Sequence, residues 1–598
     1  MLTIRLLGPP AIERDGRAVP PPRGRKAWAL LCYLLLTERP PSRKYLAGLL
    51  FSEADDPLGA LRWALAELRR TLQATDALTG DPVVTSLGGD AVVDVKSLAA
   101  DDEASLLDVS GELLEGLDFT SRPEFESWLL VERHRVSAAA EARLRQAAVE
   151  RLATNRAGYA VEYAARAVAL NPLDEGNHVL LVRSLAAAGD RAAALRQVAV
   201  CEDVLRRELG IKASAALREA ATLTSGSSMA PALNGRAAAS SQLEAGRAAV
   251  SAGAVDAGLQ CLRRAVADAT RCNDAALRAR ALTALGGALV HAVRGRDEEG
   301  AVLLQEAIHV ASQVGDRATS VTAHRELGYA EVQAGRRLTG DMWLEKAQQL
   351  AETDEEFAAV LGVRGMNASD RGDYPAAFAY FGESIDRAAS CGDHRQQAWS
   401  LALQARSHLL RAERSQAAAA LKAAIQLISQ QRWTAFLPYP QALVAELDLH
   451  SGDLAAAADG FERSWELACQ VDDPCWEGMA ARGLGLLNAS RGDRTAATTW
   501  LEEAVLRCNR VSDRYQWIRA HVLDTVITVA LDHGDRERAA PMVASLASLS
   551  ARCEMRELVV RAQLHRSRLG DPTALASARL LGADIDNPAL ASLIEQHR

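Results

Sequence analysis

The sequence contains few aromatic residues, few lysines and no long apolar segment. Aromatic residues make up 5% of its 598 residues. Because no apolar run reaches the roughly 20 residues of a membrane-spanning helix, we expect no membrane partner. No signal-peptide pattern is found at the N-terminus either, so a cytoplasmic location is expected.

The sequence also lacks the cysteine and histidine patterns of metal sites and catalytic centres. Its nine cysteines include no C-x-x-C pair, which predicts reduced thiols rather than a disulfide framework or a zinc site. There is no nucleophile elbow, no H-E-x-x-H and no G-x-G-x-x-G after a strand, and the histidines are dispersed. We therefore expect no enzyme, no catalytic residue, no metal and no cofactor.

Positive charge is concentrated at one end of the chain. Residues 1–75 contain twelve Lys or Arg and seven Asp or Glu, a balance of +5, whereas the whole chain carries −9. A basic end on an acidic protein favours a polyanionic partner at that end. The excess is modest, so an ordinary solvated surface would also account for it.

A short basic helix is the most informative feature of this end. Five leucines recur at helical spacing and predict one buried stripe on a helix over residues 57–73: Leu58, Leu61, Leu65, Leu68 and Leu72. Off that stripe are Arg62, Trp63, Ala66, Arg69 and Arg70. This arrangement is typical of a helix that enters the major groove of DNA.

The surrounding pattern predicts a winged helix-turn-helix. Residues 23–37 and 42–51 read as two further helices, the second with Ser42 as N-cap. A small sheet is expected before them, from residues 2–7 and from a strand pair over 11–19. Residues 83–95 read as a hairpin turning at Gly88 and Gly89, which would form the wing.

Each candidate DNA contact has an alternative structural role. Arg62, Arg69 and Arg70 are candidates for base or phosphate contact, and Trp63 and Ala66 for thymine methyl groups. Trp63 is as well placed for the core, and Glu67 would pair with Arg70 or Lys44. The remaining candidates, which would position the domain on phosphates or form a solvated surface, are Arg23, Arg25, Lys26, Arg43 and Lys44.

The rest of the chain reads as helical repeats. Helical patterns over residues 124–154, 157–170, 174–188 and 191–209 are separated by N-P and G-D turns. In residues 242–598 a large apolar residue recurs every 37–42 residues, at Leu262, Leu304, Leu344, Phe381, Leu421, Phe461, Leu501 and Val543. Most repeats add a second apolar residue four positions later. This period predicts an α-solenoid of tetratricopeptide type.

The first 220 residues resemble the Streptomyces antibiotic regulatory protein family. Residues 1–96 resemble its winged-helix domain through Leu6-Leu-Gly8, Arg25-Lys-Ala-Trp-Ala-Leu-Leu31 and Leu68-Arg-Arg-Thr-Leu72. Residues 97–222 resemble the bacterial transcriptional activator domain of that family through Pro123-Glu-Phe-Glu-Ser-Trp128, Ala167-Val-Ala-Leu-Asn-Pro172 and Glu208-Leu-Gly210. The resemblance implies a regulator, usually an activator, that binds directly repeated DNA sites, contacts RNA polymerase and acts as a homodimer on DNA. It also implies a bacterial protein that is nucleoid-associated when bound.

Two departures from the family pattern matter. No G-x-x-x-x-G-K-[ST] motif is present, so the ATPase module of larger members is not expected. The predicted wing has no Arg or Lys between Val83 and Val95, so its DNA contact should be weak.

We therefore predict a mainly α protein with four regions. They are a winged-helix domain (1–96), an activator domain of tetratricopeptide type (97–222), a linker (223–241) and an α-solenoid (242–598). The function predicted is sequence-specific transcriptional regulation, with double-stranded DNA as partner and with a protein, peptide or small-molecule effector on the array. The alternative is a scaffold or adaptor whose winged helix contacts proteins instead of DNA.

Overall fold

A computed structural model describes residues 1–37, 39–89, 91–98, 106–107, 111–222, 235–251, 253–293, 295–511 and 514–597. The chain divides into two compact units, Met1–Arg143 and Leu144–Arg598. The fold is mainly α, as the sequence predicts.

The first unit begins with a four-stranded sheet. Its strands are β1 (Leu2–Arg5), β2 (Ala11–Arg14), β3 (Arg17–Ala18) and β4 (Ala91–Val93), in the order β3-β2-β1-β4. β1 and β2 are antiparallel, with Ile4 opposite Ile12. β2 and β3 turn at Asp15 and Gly16, both at positive φ, so the early strands are confirmed.

Three helices follow and form the core of this unit. They are α1 (Arg25–Leu36), α2 (Arg43–Phe51) and α3 (Pro57–Thr71). Ser42 caps α2, its hydroxyl accepting a hydrogen bond from the Tyr45 amide. Four of the five predicted leucines of α3 are buried, but Leu58 is wrong as a core residue, since 48% of it is exposed in the first turn.

The predicted wing hairpin over residues 83–95 is wrong. β4 pairs in parallel with β1 instead, Ala91 lying opposite Leu2. The next residue explains this: the Asp94 carboxylate accepts hydrogen bonds from the Leu6 and Leu7 amides at 2.8 and 2.9 Å. Because these bonds satisfy two backbone donors at the end of β1, they hold β4 beside that strand.

The activator region is helical, with nearly the predicted boundaries. A short helix, α4 (Asp94–Ser97), follows β4 before this region. The elements of the activator region are α5 (Pro123–Ala153), α6 (Ala157–Leu170), α7 (Glu175–Ala187), α8 (Arg191–Leu209) and α9 (Ala215–Thr222). In the second unit, α7, α8 and α9 share an apolar core that includes Val182, Val198 and Leu217.

Paired helices make up the rest of the second unit. They are α10 (Arg236–Ser251), α11 (Val255–Arg271), α12 (Ala275–His291), α13 (Asp297–Val314), α14 (Arg317–Gln333), α15 (Arg337–Leu350), α16 (Asp354–Arg371), α17 (Tyr374–Cys391), α18 (His394–Leu410), α19 (Arg414–Gln430), α20 (Pro438–Ser451), α21 (Leu454–Gln470), α22 (Pro474–Ser490), α23 (Arg494–Cys508), α24 (Gln516–Asp532), α25 (Arg536–Arg552), α26 (Arg556–Arg568), α27 (Ala574–Gly582) and α28 (Pro588–Gln596).

The recurring G-D turns have a direct structural reason. Gly372, Gly392 and Gly452 end helices at φ of 80°, 78° and 86°, where L side chains are strained. The aspartate that follows each glycine caps the next helix by accepting a backbone N–H hydrogen bond. One dipeptide therefore ends one helix and begins the next.

The apolar period is confirmed, and in several repeats the second apolar residue packs against the same core from its edge. All eight large residues, from Leu262 to Val543, are at most 2% exposed. The residues four positions later are only half-buried, Ile385 and Trp465 among them. The buried partner lies three positions later and is small in most repeats: Ala265, Ala307, Ala347, Ser384, Ala424, Ser464 and Ala504. Small side chains let neighbouring helices approach closely.

The predicted linker overlaps the first helix of the array. Residues 223–234 lie outside the described part of the chain, whereas α10 already begins at Arg236. Among the described helices, none is both long and apolar enough to cross a membrane.

Candidate nucleic-acid interface

Helix α3 is held in the first unit by its capped N-terminus and by its buried face. The Asp56 carboxylate caps it by accepting the Gly59 amide at 2.8 Å, and Pro57 occupies the first turn. Leu61, Leu65 and Leu68 are at most 1% exposed. With that stripe buried, the opposite face of α3 is turned to solvent.

That outer face carries four of the predicted contact residues. Arg62, Trp63, Ala66 and Arg70 are all exposed, so the core alternative for Trp63, which is 53% exposed, does not hold. Arg62 lies 3.4 Å from Asp56, an exposed ion pair that costs little to break. Two guanidinium groups about two turns apart, with an indole between them, can reach phosphates and base edges in one groove.

Arg69 and Glu67 are engaged within the protein. The Arg69 guanidinium donates hydrogen bonds to the Ala77 and Leu78 carbonyl oxygens at 3.0 and 2.7 Å. Glu67 is buried, and its carboxylate accepts a hydrogen bond from Arg70 at 2.6 Å. Arg69 therefore fixes the segment after α3, and Glu67 orients Arg70.

The remaining basic candidates lie near the starts of α1 and α2. Arg23 and Lys44 are exposed. Arg25 donates to the Ser121 hydroxyl at 3.3 Å. Arg43 donates to the Gly80 carbonyl at 2.9 Å.

Lys26 differs from these because it is half-buried. Its ammonium group lies 5.6 Å from the centre of the Phe51 ring. Burial lowers the pKa of Lys26, and the neighbouring Arg122 lowers it further.

Gly88 and Gly89 are exposed but do not join two paired strands. The Ala91 amide donates to the Gly88 carbonyl at 2.9 Å, which forms a turn leading into β4. Asp90, between them, lies outside the described residues.

Sequence reasoning missed a residue that fixes the loop before α3. Arg122 is 6% exposed and forms a two-pronged ion pair with Glu53, with Nη2 to Oε2 at 2.6 Å. Burial of an arginine is unusual without such a partner. No rule of sequence spacing connects two residues so far apart. The only local signal was the proline directly after Arg122, which is typical of the start of a helix.

Metal chemistry has no candidate centre in the described ranges. No group of three or more His, Cys, Asp or Glu side chains is placed there to hold an ion. Seven cysteines are free thiols: Cys32, Cys201, Cys261, Cys272, Cys391, Cys469 and Cys508.

One family model matches the chain. It is described as Bacterial transcriptional activator domain and matches residues 99–222. No curated protein sequence shows significant similarity to the chain.

Several solved structures match parts of the chain at low sequence identity. Mycobacterium tuberculosis EmbR in complex with a low affinity phosphopeptide is 20% identical, with 37% of this chain and 64% of EmbR covered and a TM-score of 0.29. This chain thus spans less than two thirds of EmbR. Rap protein complexed with Competence and Sporulation Factor is 11% identical, with 60% and 95% covered and a TM-score of 0.39.

Aspartyl phosphate phosphatase F from Bacillus subtilis is 12% identical, with 62% of this chain and 89% of that chain covered and a TM-score of 0.32. At these TM-scores none of the three similarities establishes a shared function. Residues 99–222 match the bacterial transcriptional activator domain, and a tetratricopeptide-like array of paired helices follows them in the chain.

Proposed function

We propose that the protein is a sequence-specific DNA-binding transcriptional regulator, and an activator, whose helix α3 enters the major groove. The observation that carries this proposal is the exposed face of α3, where Arg62, Trp63, Ala66 and Arg70 lie opposite the buried leucines. The activator-domain match directly after this region supports the same function.

The contacts are divided among these residues by their surroundings. Arg62 and Arg70 would contact guanine edges or phosphates, and Trp63 and Ala66 thymine methyl groups. Arg23, Arg25, Lys26, Arg43 and Lys44 would position the domain on the phosphate backbone. Arg69 would act indirectly, because its guanidinium holds the Ala77 and Leu78 carbonyls. The backbone at Gly88 and Gly89 would approach the DNA beside α3.

We further propose the four regions 1–96, 97–222, 223–241 and 242–598 as the working division of the chain. The activator domain would contact RNA polymerase, and two copies would bind a directly repeated site. The array would bind the effector, a protein, peptide or small molecule, and no catalytic step is required. The site of action would be the nucleoid.

One observation favours the adaptor alternative. Residues 83–95 form no wing hairpin in their described part, and no Arg or Lys lies between Val83 and Val95. An adaptor would use the exposed indole of Trp63 for protein contact and would show no sequence preference on DNA.

Selection of binding sequences from random duplex DNA by the full chain separates the two functions. We expect enrichment of a directly repeated motif that Arg62→Ala/Arg70→Ala loses. The matched control is Arg206→Ala/Arg207→Ala, two arginines of α8 with nearly the same side-chain exposure. If folded wild-type protein enriches no sequence, the DNA-binding proposal fails.

A further inference from the structure

Glu67 is a buried acid beneath the basic face of α3. Its side chain is 7% exposed, whereas the side chain of Arg70, three residues later, is 69% exposed. Both carboxylate oxygens have a donor nearby: Oε2 accepts a hydrogen bond from Arg70 Nη1 at 2.6 Å, and the Arg23 amide lies 3.4 Å from Oε1. Glu67 therefore connects the segment before α1 to the outer face of α3.

This contact occupies one end of the Arg70 guanidinium. Within the described part of the chain, Nη1 is the Arg70 side-chain atom that donates a hydrogen bond, and its acceptor is Glu67. In a guanidinium group, Nε–H and one N–H of Nη2 point in the same direction. Two parallel N–H donors of arginine match the O6 and N7 acceptors of guanine. The edge of Arg70 that suits guanine is thus turned away from its protein partner.

The burial of Glu67 distinguishes this pair from an ordinary contact on a helix surface. Arg206 and Asp203 in α8 have the same three-residue spacing, but they lie 3.4 Å apart and the acid is 49% exposed. Exposed pairs of that kind hold a side chain weakly. A short hydrogen bond from a buried carboxylate restricts the rotamers of Arg70 before any DNA is bound.

Arg62 is held much less firmly than Arg70. Its Nη2 lies 3.4 Å from Asp56, and both side chains are 67% exposed. The same carboxylate also caps α3 through the Gly59 amide. Arg62 therefore keeps its rotamer freedom, which suits contact with a phosphate, where position matters more than the orientation of single N–H groups.

We propose that Glu67 is a positioning residue for base recognition, and that it presents Nε and Nη2 of Arg70 to O6 and N7 of one guanine in each repeat of the DNA site. Arg62 contacts phosphate instead. Because Arg70 is restricted before binding, less rotamer freedom is lost when the base contact forms. The inference rests on the proposed DNA-binding function and adds the base that α3 recognises.

Replacement of guanine by 7-deazaguanine tests this contact, because the analogue lacks the N7 acceptor and still pairs with cytosine. Each guanine of the selected duplex is replaced in turn, and the affinity of the full chain is measured by fluorescence anisotropy. At one guanine per repeat we expect the wild type to lose affinity by about fivefold or more. Arg70→Gln should lose this sensitivity, since its amide can still donate to Glu67 but cannot donate twice to guanine.

Arg62→Gln is the matched control, because the two arginine side chains are almost equally exposed. It should bind more weakly and reduce the salt slope by about 1, as expected for a lost phosphate contact, while its sensitivity to 7-deazaguanine stays. The two glutamine variants therefore separate base recognition from phosphate contact.

Glu67→Leu tests the positioning role itself, since leucine fills the same space without an acceptor. We expect the ratio of affinities for the guanine and 7-deazaguanine duplexes to fall by about twofold or more. A purely structural role of Glu67 would weaken both duplexes equally and leave the ratio unchanged. Circular dichroism establishes that each variant is folded, and Arg70→Gln decides the proposal if Glu67→Leu is not.

The inference is overturned if no guanine of the selected site distinguishes the wild type from Arg70→Gln. It is also overturned if Arg62→Gln abolishes the sensitivity to 7-deazaguanine as fully as Arg70→Gln, or if folded Glu67→Leu leaves the ratio unchanged. In each of these cases the selected DNA still binds, so the proposed function stands. If the folded wild type enriches no sequence, the proposed function fails and this inference fails with it.

Discussion

Neighbouring arginines on α3 differ sharply in what they contact. Arg69 holds two carbonyl oxygens of the following segment, whereas Arg70 is exposed and contacts only Glu67 among the partners described. Arg69→Ala should lower the free energy of unfolding by about 1–3 kcal/mol, because it leaves two partly buried acceptors unpaired. Urea denaturation followed by circular dichroism measures this.

The same experiment on Arg62→Ala is the control. Since both partners of its ion pair with Asp56 are exposed, the change in unfolding free energy should stay within about 0.5 kcal/mol. Equal destabilisation by the two variants would mean that Arg69 does not have the structural role assigned to it.

The ion pair of a half-buried carboxylate, Glu446, makes the array sensitive to acid. Burial alone would raise the pKa of Glu446, but Arg482 lowers it to about 2, from a usual value of 4.5. Because the folded-state pKa lies below the unfolded one, the stabilisation is complete above pH 4.5 and is lost as the pH falls towards 2. Glu446→Gln should cost about 3 kcal/mol at pH 7 and little near pH 2.

Urea denaturation of both proteins at pH 7 and pH 2.5 checks this. A Glu446→Gln penalty that is as large at pH 2.5 as at pH 7 would contradict the ion-pair explanation.

At the scale of the element, glycines inside helices let neighbouring helices come close. A Cβ on Gly328 in α14 would lie 2.6 Å from Leu344 Cγ, which is shorter than real contacts allow. Gly328→Ala should therefore destabilise the array by about 1–3 kcal/mol through overpacking. We expect the Tm of the full chain to fall.

Gly382 in α17 is the control for Gly328, because it has open space where a Cβ would be added. A Cβ there meets no atom within 4 Å, so Gly382→Ala should stabilise by up to about 1 kcal/mol through helix propensity. If both alanines shift the Tm in the same direction, close packing at Gly328 is not the cause.

The predictable elements are those whose evidence is local in sequence. The repeat period predicted the array because each repeat buries one large apolar residue at the same place on a helix. Capping by Ser42 and burial of Leu61 and Leu65 followed from the same local rules. The outer face of α3 was predictable because it is the face that remains once the buried leucine stripe is assigned.

Elements fixed by distant partners were not predictable. Strand β4 pairs with β1 because Asp94 binds the Leu6 and Leu7 amides, and no spacing rule connects residues nearly ninety positions apart. Arg69 was a candidate DNA contact because of its residue type, yet its guanidinium donates hydrogen bonds to carbonyl oxygens of the next segment. Alternating or periodic apolarity carries no information about such partners.

At the scale of the molecule, a helix with an exposed basic face and a repeat array lie in one chain. In the array interior, Arg337 and Arg406 are buried and share the Asp370 carboxylate, and the first unit presents exposed arginines on α3. These two basic features differ in burial, so they should respond differently to salt: exposed charges are screened, whereas buried ones are not.

The most direct test of the account is the salt dependence of affinity for the selected DNA sequence, measured by fluorescence anisotropy on the full chain. The wild type should lose affinity steeply with salt, with a slope near −0.9 per phosphate contact. Arg62→Ala/Arg70→Ala should weaken binding by about tenfold or more and reduce the slope by about 1–2. Arg206→Ala/Arg207→Ala should change neither quantity. Equal affinity and slope in the wild type and Arg62→Ala/Arg70→Ala would contradict the claim that α3 binds DNA.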